Sequence, residues 1–272
     1  MRLGQIKADG GYLAAVFEGN LARAVPGYTV TDLIRRSETE GVPLAKTTAR
    51  LASRHAEPHA PVLPIVPPEV WACGCTYERS ASFRDAEHGT REGMYAYVYN
   101  QPRPEIFFKG TARVCVGPGQ AIGIRADSRF TAPEPELALV LGSKGNVVGY
   151  TLANDVTARD LQKKDGQWTR AKGFDTFCAV GPLVSDEVDP QAGLTIETRL
   201  NGELRQLGST ADFIFRIPEL LVYITAAFTL EPGDLVLTGT PAGVGPLNPG
   251  DRVDVSIPGL GVLTNTVEAD RD

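Results

Sequence analysis

Long apolar runs are missing from this chain: no stretch approaches the roughly 20 consecutive apolar residues that a membrane-spanning helix needs. The first residues, Met1 to Lys7, also lack the apolar core of a secretory signal, so a cytoplasmic location is expected. Positive charge is in short supply, with 27 Lys and Arg against 33 Asp and Glu, and the net charge of −6 leaves no basic footprint for nucleic acid. Cysteine is sparse too. Four residues (Cys73, Cys75, Cys115 and Cys178) cannot build a disulfide framework for a chain of 272, and Cys73 and Cys75 are too close for a CxxC metal site with no second pair to complete one. Buried free thiols in a reducing compartment are expected instead. Internal repeats, low-complexity segments and a regular β-α-β alternation are all absent, and the last absence argues against a Rossmann fold or a TIM barrel.

What is there is the composition of an ordinary globular protein, 42% apolar and 22% charged, with length for one large core or a main domain and a small appendage. Residues 1–27 read as short strands turning at Asp9-Gly10-Gly11 and Glu18-Gly19-Asn20. A helix is expected after Thr31 with Asp32 near its cap, and a second over residues 47–54. The polar, proline-containing connector at 55–61 then divides a small N-terminal α+β domain (1–60) from a main domain (61–272). The main domain reads as short strands: 137–141, returning over 147–152 after a turn at Ser143 to Asn146, then 195–200 and 204–207 about Asn201-Gly202, the dipeptide a type I′ hairpin prefers. Pro218 suits the first turn of a helix running through Leu221, Ile224 and Phe228, and 235–237 and 253–257 look like core strands.

Chemistry concentrates in a few places. In an extended chain Glu134 and Glu136 share a face, so two carboxylates point the same way, and a bound cation is the usual remedy for their repulsion; a solvated strand edge is the bland alternative. Asp155 stands where the returning strand ends, one hairpin away. Three carboxylates with no histidine or cysteine nearby suit a hard cation, Mg²⁺ first and then Mn²⁺ or Ca²⁺. Lys172 sits between aromatics beside Gly173, which by itself reads as a snorkelling surface lysine. The loop 239–245, GTPAGVG, offers backbone amides that can cradle a carboxylate, a weak signal by itself.

Taken together, PEPELALV (133–140), GYTLANDVTARD (149–160), QWTRAKGFDTF (167–177), LEPGDLVLTGTP (230–241) and RPEIFFK (103–109) resemble the fumarylacetoacetate hydrolase superfamily over roughly residues 65–267, in order and in spacing. The resemblance implies an α+β, mainly β fold, a mixed β-sandwich roll that is usually a homodimer, acting on a small 2-oxo acid. It carries the metal ligands onto Glu134, Glu136 and Asp155, site-lining polar roles onto Arg159 and Gln162, the active-site lysine onto Lys172, and substrate contacts onto Thr240, Arg79 and Tyr77. The shared chemistry is a metal-stabilised enolate of the 2-oxo acid. Hydrolysis of a C–C bond in an acylpyruvate-like or fumarylacetoacetate-like diketo acid is the first expectation, yet Ser80 and Phe83 stand where hydrolases of the family carry a His–Glu dyad. His88, with Glu87 or Glu92, is the substitute the sequence offers; a solvated surface histidine is the alternative. The segment Tyr77-Glu78-Arg79-Ser80, with Arg84 and Tyr99 to Glu105, is similar instead to the branch that dehydrates 2-keto-3-deoxy sugar acids. Dehydration is therefore the second expectation, followed by enol–keto isomerisation or decarboxylation, and by a non-catalytic binding protein on the same fold. Residues 77–99, rich in charge and small side chains, are expected to form a mobile cover over the substrate.

Overall fold

The structure, a computed structural model, describes residues 1–74, 76–77 and 101–269. The fold is mainly β, with two sheets stacked face to face. The larger runs, in spatial order, through Glu57–Pro58, Leu21–Ala24, Gly11–Glu18, Arg2–Ala8, Cys178–Ser185, Val147–Asp155, Pro135–Leu141, Leu235–Leu237, Val70–Gly74 and Glu105–Gly110, while Cys115–Val116 lies parallel to Cys178–Ser185. The smaller contains Glu203–Ser209, Thr195–Leu200, Arg252–Ile257, Gly261–Ala269 and Ala121–Ile124. Among the described residues no helix is long and apolar enough to cross a membrane.

Alternation along the strands builds the core. Leu137, Leu152 and Ala179 of the large sheet meet Ile196, Val253, Val255 and Leu263 of the small one, forming the interior of the sandwich. Ala138, Val140 and Val180 face the other way, onto Leu33 and Ile34 of the helix Val30–Glu40. Leu139 and Leu141 pack on Leu220 and Ile224 of the helix Ile217–Thr225. Every residue of Pro135–Leu141 is buried, which explains its unbroken apolar run. Each fully buried leucine there contributes about 2 kcal/mol, so the strand that leads out of Glu134 is a rigid ledge.

The N-terminal sixty residues hold strands and two helices, and their sheet continues onto the rest of the chain where Leu3 pairs with Val184. The first helix starts two residues earlier than expected. Thr29 is its N-cap, and Asp32, the third helical residue, accepts from Thr29 N at 2.9 Å in a capping box. The second runs Leu44–Leu51, displaced from 47–54 because Pro43 sets its entry. The third ends at Thr225, short of Phe228, although the Phe228 amide still donates to Ile224 O at 2.9 Å. Asn201 and Gly202 both take positive φ (54° and 85°), as a type I′ hairpin requires.

Candidate metal centre

One hairpin assembles the acidic cluster. Pro135–Leu141 and Val147–Asp155 pair antiparallel with Pro135 opposite Asn154 and Glu136 opposite Ala153. Beyond the end of the ladder Asp155 N donates to Glu134 O at 2.8 Å, and Asn154 Oδ1 accepts from Glu134 N at 2.8 Å. Glu134, Glu136 and Asp155 are thereby brought together, each at most 3% exposed, with one carboxylate oxygen from each lying within 4.8 Å of the others. At that separation and an effective dielectric constant near 20, each pair of full charges repels by about 3.5 kcal/mol. Such a cluster persists only with positive charge beside it.

Three buried cations supply part of that charge. Lys172 Nζ donates to Glu134 Oε2 (2.7 Å), Asp155 Oδ2 (2.6 Å) and Thr157 Oγ1 (2.7 Å). Arg159 pairs through Nη2 with Glu134 Oε1, and its Nη1 donates to Gln162 Oε1 at 2.9 Å. Lys109 Nζ lies 2.6 Å from Asp155 Oδ1, a charge contact without the alignment of a hydrogen bond. Burial alone would depress the Lys172 pKa, but Asp155 and Glu134 more than offset it and hold the ammonium above its ordinary value.

Glu136 differs from its two neighbours. Among the described residues no ion pair reaches it; its side chain accepts from the backbone N–H of Gly239 at 2.6 Å. Burial first, then the charges of Asp155 and Glu134, push its pKa well above the usual carboxylate range. A buried carboxylate beside two others, lacking a cation of its own, in an all-oxygen donor set, fits a hard divalent ion such as Mg²⁺.

The glycine-rich loop completes the wall. Thr238, after the strand Leu235–Leu237, is tied to Leu137 O through its hydroxyl (2.8 Å), and Thr76 Oγ1 donates to Thr238 O at 2.6 Å. Gly239 follows with φ 98°, and a Cβ there would sit 1.9 Å from Thr76 Oγ1. Gly239→Ala is therefore expected to destabilise the protein by about 2–4 kcal/mol, combining left-handed strain with overpacking, and to displace the amide that holds Glu136. Urea unfolding with and without Mg²⁺ measures both effects; a variant as stable as the parent would show that the loop relaxes freely.

A cavity brings Glu134, Glu136, Arg159, Gln162, Lys172 and Thr240 to one surface, seven of the sequence-based candidates counting Asp155 behind it. Thr240 Oγ1 accepts from the buried Gln206 Nε2 at 3.4 Å. Tyr77 lies beside a neighbouring cavity with Leu207, Asp212 and Pro241, its ring 4.7 Å from that of Phe213. Burial, then Glu136 and Asp212, raise its pKa well above the phenol value, so it is a neutral side chain. Arg79, Glu87, His88, Glu92 and the expected cover over 78–99 fall outside the described residues.

The Phe107 ring flanks the lysine, 5.3 Å from Lys172 Nζ, and Trp168 meets that ring edge-on at 5.5 Å. Phe174 packs on Phe177, with the Arg125 guanidinium 4.0 Å above it. Sequence reasoning gave Lys109 and Thr157 no role. The available signal for Lys109 was a lone charge ending the apolar stretch Ile106-Phe107-Phe108.

Residues 70–268 match the fumarylacetoacetate (FAA) hydrolase C-terminal family. A probable 2-keto-3-deoxyxylonate dehydratase of Haloferax volcanii is 36% identical over 262 residues, covering 92% of this chain and 87% of that protein. The oxaloacetate tautomerase YisK of Bacillus subtilis is 43% identical over 208 residues, 68% of this chain and 67% of that one. Solved structures of 2-keto-3-deoxyarabinonate dehydratase cover the whole of both chains, with a TM-score of 0.83 at 32% identity and, in the form complexed with magnesium and 2,5-dioxopentanoate, 0.79 at 30%.

Proposed function

The chain belongs to the fumarylacetoacetate hydrolase family, and from that premise we propose that it is a Mg²⁺-dependent dehydratase of small 2-keto-3-deoxy sugar acids. The observation that carries the reading is the buried trio of Glu134, Glu136 and Asp155 with the Lys172 ammonium bonded to two of its members. These three carboxylates would hold the ion, which, when bound, supplies Lewis acidity to a chelating 2-oxo acid.

Charge arithmetic supports the choice of substrate. Among the described residues the centre has three carboxylates and three cations (Lys109, Arg159 and Lys172), so a divalent ion leaves two positive charges over. A 2-oxo monocarboxylate whose C3 has lost a proton carries two negative charges, one on the carboxylate and one on the former keto oxygen. Lys172 holds a fixed positive charge where the second develops, the role of an oxyanion hole. Arg159 is braced between Glu134 and Gln162, so its guanidinium is held in place at the cavity wall. Thr240 and Tyr77 are assigned to the substrate side, with Arg79. Expulsion of the C4 hydroxyl then forms a C3–C4 double bond, and the hydroxyl leaves as water by taking up a proton equivalent to the one C3 gave up.

Dehydration is favoured over C–C hydrolysis by the relatives that align across nearly the whole chain, and by Ser80 and Phe83 at the positions where hydrolases of the family carry a water-activating dyad. Tautomerisation is the second reading, supported by the Bacillus relative, and needs the same enolate without a leaving group. A homodimer in the cytoplasm belongs to the same proposal; sedimentation tests the assembly.

The test is an activity panel with Mg²⁺ in which 2-keto-3-deoxy pentonates and hexonates compete with acylpyruvates and oxaloacetate, products being weighed by mass spectrometry. Loss of one water from a deoxy sugar acid is the expected result. Pyruvate plus a carboxylic acid would replace this reading with the hydrolase, and enol–keto exchange of oxaloacetate alone would replace it with the tautomerase.

A further inference from the structure

Lys109 is the one fully buried residue of the strand Glu105–Gly110, with no exposed surface at all. A lysine so placed needs hydrogen-bond acceptors and a counter-charge, since an ammonium without them costs several kcal/mol to bury. The partners come from two other elements. Its Nζ donates to Val156 O at 3.1 Å and to Lys172 O, and faces Asp155 Oδ1 at 2.6 Å. Asp155 in turn accepts the Lys172 side chain on its other oxygen. The three residues close a ring: Lys109 to Asp155, Asp155 to the Lys172 ammonium, and the Lys172 backbone back to Lys109.

The element that carries Lys172 makes this ring consequential. Thr169–Lys172 is a four-residue helix with no side-chain cap, far too short to hold itself. The strand Glu105–Gly110 pins it at both ends, through Thr169 Oγ1 donating to Phe108 O at 3.1 Å and through Lys109 Nζ donating to Lys172 O. We infer that Lys109 is a positioning residue, whose ammonium fixes the Lys172 helix against Asp155 and so sets the distance between the catalytic lysine and the acidic cluster.

Two simpler roles make different forecasts. A charge compensator would, on removal, leave the centre one unit more negative, bind Mg²⁺ more tightly and keep its turnover. A packing residue would lower the melting temperature and leave kcat per folded molecule unchanged. Positioning predicts slower chemistry, because a misplacement of about 1 Å at a reacting centre costs up to about 100-fold.

The inference rests on the enolate-forming reading of the site, and its experiment separates the two. Lys109→Met and Thr169→Val are compared with the parent by calorimetric Mg²⁺ titration of substrate-free protein, by kcat and KM at saturating Mg²⁺, and by thermal denaturation. Lys109→Met is expected to lower kcat by about 10–100-fold with KM changed less than about threefold. Thr169→Val, which cuts the other pin and moves no charge, is expected to lower kcat by about 3–10-fold with Mg²⁺ affinity unaltered. Undiminished kcat in Lys109→Met, with or without tighter Mg²⁺ binding, overturns the inference. Should Lys109→Met fail to fold, Thr169→Val decides alone: a reduced kcat supports it and an unchanged one overturns it. A parent protein that binds Mg²⁺ but turns over no 2-oxo acid would instead refute the enolate-forming reading itself.

Discussion

Lys172→Met should turn over the substrate about 10²–10³-fold more slowly at saturating Mg²⁺, the loss typical of a deleted oxyanion donor. The ammonium is 3% exposed and bonded to Glu134, Asp155 and Thr157, so it is fixed before substrate arrives and pays no reorganisation when charge develops. Methionine keeps an unbranched apolar stem, one atom shorter, and removes the charge together with its three hydrogen bonds. Its loss also leaves two buried carboxylates short of a partner, and breaking a buried pair of this kind costs about 3–5 kcal/mol. The metal-free variant should therefore melt well below the parent, while Mg²⁺ should restore much of the difference by supplying the missing positive charge. Kinetics are to be read at saturating Mg²⁺ with folding verified by circular dichroism. Near-parental kcat in a folded Lys172→Met variant would remove the lysine from the mechanism and leave it a structural counter-ion.

Much of this site was legible because it obeys short-range rules. Period-two alternation puts Glu134 and Glu136 on one side, and a hairpin with a recognisable turn returns Asp155 to them. The apolar runs at 137–141 and 235–237 became core strands for the same reason: burial on both faces leaves no room for polar alternation. What escaped depended on contacts between distant segments. No local pattern at Arg2–Ala8 announces pairing with Cys178–Ser185. Lys109 reads as a charge closing an apolar stretch until Asp155, Val156 and Lys172 are brought around it. Phe107 reaches the Lys172 ammonium from a strand distant in sequence, while Phe174, two residues along the chain, packs on Phe177 and Arg125. The helix start moved because Asp32 caps from inside the first turn, where Thr29 and Asp32 together satisfy each other's backbone amides.

Glu136→Gln should produce melting curves that cross. Without metal, Glu136 must either carry its charge beside two other carboxylates or take up a proton that the unfolded chain does not hold at neutral pH. Glutamine escapes both costs at nearly the same shape, and its oxygen can still accept the Gly239 amide that Glu136 accepts now. The metal-free variant is therefore expected to equal the parent or to exceed it by about 1–3 kcal/mol, the scale of a relieved buried polar penalty. With Mg²⁺ the order reverses. An ion at 100 times its dissociation constant stabilises the parent by about 2.7 kcal/mol, and a variant that has lost a charged ligand should bind at least about 100-fold more weakly and gain little. Thermal denaturation in EDTA and in excess Mg²⁺, with calorimetric titration of both proteins, gives all four values. If Glu136→Gln keeps the parent's Mg²⁺-dependent rise, the ion does not sit at this cluster, and the trio is a structural acid network neutralised by Lys109, Arg159 and Lys172 alone.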